Sequence, residues 1–276
     1  MPKSSSLIQV ALLIFCLLYS GASPAQSVPM GSTKKGIGYW SNDGVHHGLE
    51  GSGVTWCYDW GVSPAGKSVG NIDFVPMIWG KRNVNPKDLL TAKMTGKVLL
   101  AFNEPDVTNQ SNMSVEEALR LWPQLEATGM RLGSPAASPY QALEGKWLDQ
   151  FMQGVKTKGY RVDFICAHHY SPLYTDPRAA AEELKDYLTR IHAMYEKPIW
   201  LTEFALSNWK TAATITQQEA YVKEAVPMLE KLPFVERYAW FAFPPFNGDK
   251  GALANSHLTD SNCALNATGI TYRDAK

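Results

Sequence analysis

Two glutamates stand at the ends of short apolar runs, and that placement suits one particular chemistry. Glu104 lies in Val98-Leu99-Leu100-Ala101-Phe102-Asn103-Glu104-Pro105-Asp106, and Glu203 lies in Pro198-Ile199-Trp200-Leu201-Thr202-Glu203-Phe204. Each run reads as a buried strand that delivers a carboxylate to the loop beyond it. Two carboxylates displayed this way, about a hundred residues apart, are what cleavage of a glycosidic bond needs: one protonates the leaving oxygen, the other attacks the sugar carbon or activates water. A single glutamate more often caps a helix or pairs with a lysine, because surface carboxylates are plentiful. The two flanking contexts together favour the catalytic reading. The pair must also be unequal. The acid has to keep a proton near neutral pH, through burial or a nearby anion, while its partner stays ionised.

Both residues need a scaffold that brings strand ends together. Short apolar runs at residues 36–40, 54–59, 73–79, 97–102, 131–134, 163–168, 199–203 and 237–241 read as eight strands. Amphipathic stretches separate several of them. Ser114-Val115-Glu116-Glu117 resembles a capping box and opens a helix reaching Ala127, with Gly129 just beyond. Residues 179–196 carry Leu184, Leu188, Ile191 and Tyr195 at helical spacing and stop before Pro198; residues 216–231 are similar. Helical signals are weak between the first three strands. Alternating strands and helices imply a mostly parallel sheet, and eight units in about 250 residues match a single (β/α)8 TIM barrel of the α/β class. A doubly wound sheet is the rival, since periodicity alone cannot close a barrel. Barrel enzymes place their chemistry at the C-terminal ends of the strands. Trp40, Tyr58, Asp59, Trp60, Trp79, Asn103, Glu104, His168, His169, Tyr170, Glu203 and Trp240 all fall there or nearby.

Composition excludes other classes. The 276-residue chain has no net charge, so it carries no footprint for nucleic acid or an anionic membrane. Its aromatic content is high, with 9 Trp, 12 Tyr and 10 Phe, which suits stacking against flat apolar ligand faces. Gly51-Ser52-Gly53 lacks the third glycine of a dinucleotide fingerprint, and no phosphate-cradling loop is present. No cofactor is called for. No metal is expected either: His168 and His169 are adjacent, so on a strand they face opposite ways, and the His46-His47 pair has no supporting acidic ligand. Asp59 and Asp106 read as loop caps or site residues alike. Trp40, Trp60, Trp79 and Trp240 divide between core and sugar platform.

The N-terminus reads as an export signal over residues 1–25. Lys3 supplies the charge, residues 7–18 the apolar stretch, and Ser23-Pro24-Ala25 the small-x-small cleavage pattern. The apolar stretch is shorter than the roughly 20 residues a membrane span requires. The expected mature protein, residues 26–276, is a soluble catalytic domain outside the cytoplasm, secreted, or periplasmic in a Gram-negative host, and monomeric. It keeps Cys57, Cys166 and Cys263, whose odd number leaves pairing open. Asn109-Gln110-Ser111, Asn112-Met113-Ser114 and Asn266-Ala267-Thr268 are glycosylation sequons, meaningful in a eukaryotic host.

Asn103-Glu104-Pro105 and Thr202-Glu203-Phe204 resemble the signature of clan A retaining glycosidases. The likeness extends along the chain through Gly38-Tyr39-Trp40, Trp56-Cys57-Tyr58-Asp59-Trp60, Phe74-Val75-Pro76-Met77, Gly133-Ser134-Pro135-Ala136 and Asp163-Phe164-Ile165-Cys166-Ala167-His168-His169-Tyr170. In order and spacing these blocks resemble glycoside hydrolase family 128, a group of β-1,3-glucan hydrolases. The resemblance implies a retaining mechanism with Glu104 as acid/base and Glu203 as nucleophile. It also implies that Asn103 bonds the sugar 2-hydroxyl, Tyr170 steadies Glu203, and His168 shapes the same pocket. Trp40, Tyr58, Trp79 and Trp240 complete the expected substrate-binding set, and β-1,3-glucan is the expected ligand. Two positions depart from the pattern. Cys57 stands where an aromatic or small residue is usual, and His169 stands where a tryptophan is common, a change expected to alter a sugar-facing wall. Two other readings remain: a clan A β-glycanase of another linkage, and a glucan-binding protein on the same barrel without activity.

Overall fold

The structure, a computed structural model, describes residues 32–40, 44–65, 70–173, 176–207, 209–244 and 251–276, with His46 described in its backbone alone. The export signal expected over residues 1–25 lies outside them. The strands are β1 (Lys35–Tyr39), β2 (Trp56–Tyr58), β3 (Asp73–Phe74), β4 (Met77–Ile78), β5 (Val98–Asn103), β6 (Arg131–Ala136), β7 (Ile165–Ser171), β8 (Ile199–Leu206) and β9 (Val235–Phe243). They follow the eight runs read from the sequence, with one of them split. Val75-Pro76 interrupts it, because proline has no N–H to give to a ladder, and leaves β3 and β4 as two halves.

Every ladder between named strands is parallel. One sheet runs β3-β2-β1-β9-β8-β7 and the other β4-β5-β6. Two seams join them. At the first, Val75 N donates to Cys57 O at 2.9 Å and Leu100 N donates to Pro76 O at 3.0 Å, so the split strand passes from β2 to β5. At the second, Ser134 N donates to Phe164 O at 2.9 Å and Asp163 N to Leu132 O at 2.8 Å, with bridges Gly133–Phe164 and Ala137–Ala167. The second seam carries isolated bridges in place of a full ladder. Because β9 also pairs with β1, the strands follow one another around a ring, which is the (β/α)8 arrangement. A doubly wound sheet would end in two open edges instead.

The helices are α1 (Val45–Gly51), α2 (Pro86–Thr95), α3 (Val115–Glu126), α4 (Trp147–Lys158), α5 (Pro177–Tyr195), α6 (Ile215–Lys231) and α7 (Ala267–Asp274). Their boundaries have local causes. Ser114 Oγ accepts from Glu117 N at 3.1 Å at the start of α3, and Thr214 and Gln217 form a reciprocal capping box on α6. Among the described residues, only the seven-residue α1 lies between β1 and β2, in keeping with the weak helical signal there. Lys34 and Lys35, too short a pair to make a charged patch, have separate structural tasks. Lys34 Nζ donates to Glu230 O and Leu232 O, both at 2.9 Å, at the end of α6. Lys35 Nζ donates to Tyr272 O at 2.7 Å and Ala275 O at 2.6 Å at the end of α7. Helix C-termini favour cations for their unsatisfied carbonyls and dipole.

The barrel lumen is filled from below by Trp56, Phe164, Cys166 and Trp200, all wholly buried. Trp200 lies 4.5 Å from the Phe164 ring and 5.1 Å from that of Trp56, and the Arg237 guanidinium caps it at 4.6 Å. A larger apolar layer between strands and helices surrounds this plug. Burying each large apolar side chain contributes roughly 1.5–3 kcal/mol. The plug leaves only the upper end of the lumen for polar residues.

Candidate active site

Strand parity decides which side chains reach that upper end. On β2 and its extension Trp56, Tyr58 and Trp60 share one face, two residues apart, and climb the lumen from floor to rim. On β7 Cys166, His168 and Tyr170 do the same. On β8 the register shifts between Leu201 and Phe204, so Glu203 turns inward although its spacing from the inward Trp200 is odd. On β5 the register shifts again, and Phe102 and Glu104 take positive φ of 31° and 42°. That region is unfavourable for residues with a Cβ. Hydrogen bonds hold the backbone there: Glu104 N donates to Ala136 O at 2.7 Å and Asn103 N to Trp79 O at 2.8 Å.

The two glutamates converge. An oxygen of Glu104 lies within 4.8 Å of an oxygen of Glu203, and a His168 ring nitrogen lies within the same distance of each. His168 Nδ1 is 3.1 Å from Glu104 Oε1 and 3.5 Å from Glu203 Oε2. Three further donors address Glu203. Tyr170 Oη donates to Oε2 at 2.6 Å, Trp60 Nε1 to Oε1 at 3.0 Å, and Tyr58 Oη to Oε1 at 3.4 Å. Glu203 is almost wholly buried. Burial pushes its carboxyl above the ordinary value, aided by the Glu104 charge and opposed by His168 and the Tyr170 and Trp60 donors. Burial pulls His168 down, but the Glu203 and Glu104 charges outweigh it and the imidazole is held above its usual value. Burial, with the Glu203 charge, keeps the Tyr58 and Tyr170 phenols protonated as donors. The three groups are close enough to bracket a cation. Yet His168 Nδ1 is already committed to the two carboxylates, which makes the trio a charge network.

Around this cluster opens a cleft of about 450 Å³ walled by Trp40, Trp60, Trp79, Tyr170, Trp209 and Phe241. Trp40 stacks on Trp60 with centroids 5.2 Å apart. Asn103 lies in the cleft too, its Nδ2 donating to Gln110 Oε1 at 3.3 Å while its Oδ1 is buried without a partner among the described residues. The cleft thus gathers Glu104, Glu203, Asn103, Tyr170, Trp40 and Trp79.

Four sequence expectations are corrected. Trp240 is not a platform. It is wholly buried beside Phe204, Tyr221 and Tyr272, with Nε1 donating to Ser256 O at 2.6 Å. On β9 the inward residues are Ala239 and Phe241, so Trp240 faces the helices. Tyr58 and His168 are wholly buried; they touch the glutamates from beneath and offer no surface to a ligand. His169 does not lie in a sugar-facing wall. It points outward to Glu183, at 3.3 Å, and to Ser171 Oγ, also at 3.3 Å. The other departure, Cys57, also turns outward into the strand–helix layer, and Cys57 and Cys166 are buried thiols without a disulfide.

Asp59 and Asp106 prove to be loop caps: Asp59 accepts from Gly61 N at 2.9 Å and Ala65 N at 2.8 Å, and Asp106 accepts from Ser138 N at 2.9 Å. Asp59 also lines the cleft. Sequence reasoning did not place Trp209, Phe241 or Gln110 in the site. Phe241 was within reach through its parity with Ala239, whereas Trp209 and Gln110 sit on loops without a periodic signal. Of the sequon asparagines, Asn266 is occupied, its side chain capping α7 and donating to His257 O.

With the geometry in hand, comparison with known proteins is direct. Residues 36–272 match the family described as glycosyl hydrolase catalytic core. The curated relative Alkali-sensitive linkage protein 1 of Schizosaccharomyces pombe is 29% identical over 230 residues, covering 80% of this chain. The chain spans 40% of that protein's length. Among solved structures, a family 128 subgroup I endo-β-1,3-glucanase from Amycolatopsis mediterranei, in complex with laminaritriose, is 42% identical with a TM-score of 0.82, covering 89% of this chain and all of its own. A subgroup III curdlan-specific exo-β-1,3-glucanase from Blastomyces gilchristii is 29% identical with a TM-score of 0.71, covering 89% and 99%. With the family model matching residues 36–272 and a family 128 structure 42% identical over 89% of the chain, the chain belongs to glycoside hydrolase family 128.

Proposed function

We propose that this chain hydrolyses β-1,3-glucan within the polymer, with retention of configuration, using Glu203 as nucleophile and Glu104 as acid and then base. The observation that carries the reading is the close pairing of Glu104 and Glu203, within 4.8 Å, around His168 in an aromatic-walled cleft. Retaining enzymes hold their carboxyls about 5–5.5 Å apart, whereas inverting enzymes leave about 6.5–9.5 Å for a water. The subgroup I endo-β-1,3-glucanase at 42% identity supports the linkage and the internal mode of attack. In the first step a Glu203 oxygen bonds to the anomeric carbon as the bond to the leaving sugar breaks, and Glu104 gives its proton to the departing oxygen. In the second, Glu104 takes a proton from water, whose oxygen displaces Glu203 from that carbon. Asn103 is the residue to bond the sugar 2-hydroxyl. Reducing-sugar release from laminarin, curdlan, cellulose and xylan, with product sizes, tests the reading. Release from cellulose or xylan alone would move the chain to another linkage, and release from none would leave it a binder.

The buried charge network sets a pH dependence. Turnover needs Glu203 ionised, and its carboxyl is raised above 4.5 chiefly by burial. Activity therefore falls, as pH drops, at a higher pH than an ordinary glutamate would dictate. The His168 charge opposes that rise, so His168→Gln should move the acidic limb of kcat/KM to still higher pH. A limb that stays in place or moves down would show that His168 does not tune Glu203.

The two disputed tryptophans should part company. Trp79→Ala should weaken laminari-oligosaccharide binding by about 1–3 kcal/mol with little change in melting temperature, because it removes a flat apolar face from the cleft. Trp240→Ala should cost about 3–5 kcal/mol of stability, as other buried aromatic truncations do, and leave affinity intact in protein that remains folded. Parallel melting curves and titrations check both; a reversed pattern would return Trp240 to the site.

We also propose that the protein is exported after cleavage near Gln26 and acts as a monomer. The leader pattern supports the first, and no helix among the described residues is long and apolar enough to cross a membrane. N-terminal sequencing of protein recovered outside expressing cells, with light scattering for mass, checks both points.

A further inference from the structure

Behind β7, on the side away from the cleft, lies a second polar cluster, built on the position where the chain departs from the family pattern. His169 turns away from the lumen while its neighbours His168 and Tyr170 turn into it, and both His169 and Ser171 are wholly buried. His169 Nε2 lies 3.3 Å from Glu183 Oε1 on α5, and its Nδ1 lies 3.3 Å from Ser171 Oγ. Ser171 Oγ is in turn 2.8 Å from Tyr221 Oη on α6. Glu183 also accepts from Tyr140 Oη, on the loop that follows β6. Burial pushes the Glu183 carboxyl up, but the His169 and Tyr140 hydrogen bonds outweigh it and hold the group below its ordinary value. An ionised carboxylate only accepts, so His169 Nε2 carries the proton that faces it. An indole at position 169, with its single N–H, could meet Glu183 or Ser171 but not both.

Both ends of this cluster lead to Glu104. At one end His168, next to His169 on β7, meets Glu104 Oε1 at 3.1 Å. At the other end, two residues before Tyr140, Ser138 N donates to Asp106 Oδ1 at 2.9 Å and Ser138 Oγ donates to Asp106 Oδ2. Asp106 stands two residues after Glu104. The path out through Asp106 and Tyr140, across Glu183, and back through His169 and His168 therefore closes on itself. Its covalent links are two residues or shorter, and hydrogen bonds supply the rest. The backbone supports the same conclusion. Glu104 and Tyr140 both hold positive φ, 42° and 65°, a conformation that side-chain-bearing residues keep only where their surroundings over-determine it. The Tyr140 ring is fixed further by edge contacts with His169 at 5.6 Å and Tyr187 at 5.5 Å.

We propose that Tyr140, Glu183 and His169 are positioning residues for the acid: from outside the cleft they close the ring that holds Glu104 where it can protonate the leaving oxygen. The proposal rests on the reading of Glu104 as acid and then base. A general acid works only within hydrogen-bond reach of the departing oxygen, so a loosened ring costs protonation. Attack by Glu203 is spared, because Tyr170 and Trp60 hold that carboxylate separately. Two cuts test the ring. Tyr140→Phe removes one oxygen from an exposed ring, and Glu183→Gln keeps the side chain's shape; melting curves confirm that each variant is folded. The readout is kcat/KM, which follows the first step alone. Each variant should lose roughly ten-fold on laminarihexaose, since small misplacements far from the chemistry are costly, and about two-fold or less on an aryl laminaribioside whose acidic phenol leaves with little protonation. The double variant should lose no more than the worse single one, because both cuts open the same ring. Equal losses on the two substrates, no loss in folded protein, or losses that multiply in the double variant would overturn the ring. The acid reading would still stand if Glu104→Ala discriminates between the two leaving groups. A Glu104→Ala variant that fails to discriminate would overturn both.

Discussion

Glu203→Gln should abolish turnover on every β-1,3-linked substrate while leaving fold and oligosaccharide binding nearly intact. Glutamine keeps the shape of glutamate but cannot form the covalent glycosyl intermediate, and removing a nucleophile registers as a loss of roughly 10⁵-fold or more. The surroundings explain why the fold survives. Tyr170 and Trp60 place their donors on opposite oxygens of the side chain; the amide oxygen still accepts one of them. Burial already works against the ionised carboxyl, so replacing it with a neutral group relieves a cost that offsets the lost bond, and the melting temperature should move little. The companion measurement follows the first product of the wild-type enzyme by proton NMR before mutarotation. A β anomer is expected. An α anomer released first would mean inversion, and Glu203 would lose the role of nucleophile.

Much of the site was legible because the residues that matter lie on strands with a period of two. Tyr170 follows from its block, and Glu104 and Glu203 from apolar runs that stop at a charge. The runs placed Glu203 at a strand end but did not show the parity break that turns it inward. Glu203 faces the lumen only because β8 shifts register before it. The Val75-Pro76 break divides one strand into two without altering its place in the ring. The error over Trp240 came from counting strand-end aromatics without assigning faces; had Ala239 and Phe241 been taken as the inward pair, the indole between them would have been sent to the helices. The change at His169, which resemblance placed in a sugar-facing wall, has its structural effect behind the strand, where it packs between Tyr140 and Tyr187. Trp60 carried the opposite lesson. Its indole was weighed only as platform or core, yet its N–H donates to Glu203 at 3.0 Å. A ring's polar edge leaves no trace in a hydrophobic pattern.

Glu104→Ala should separate the two halves of the mechanism. With a natural glucan, whose leaving sugar departs as a poor alkoxide, the loss should fall in the upper part of the roughly 10²–10⁴-fold range that a general acid contributes. An aryl glycoside with an acidic phenol needs little protonation, so its first step should survive, and the slow step becomes attack of water on the glycosyl–Glu203 ester without a base. Added azide should then speed turnover, because it needs no deprotonation and can enter the space vacated by the carboxylate beside His168. The product should be the glycosyl azide of retained configuration, since azide displaces Glu203 from the face where water would attack. The backbone should tolerate the change, because Glu104 N keeps its 2.7 Å bond to Ala136 O and Asp106 still accepts from Ser138 N. Removing the carboxylate also leaves the buried His168 facing one anion in place of two, so the variant's acidic limb should shift along with its rate. Equal losses on both substrate types, with no azide effect, would assign Glu104 to holding the loop and leave the proton donor to be sought elsewhere in the cleft.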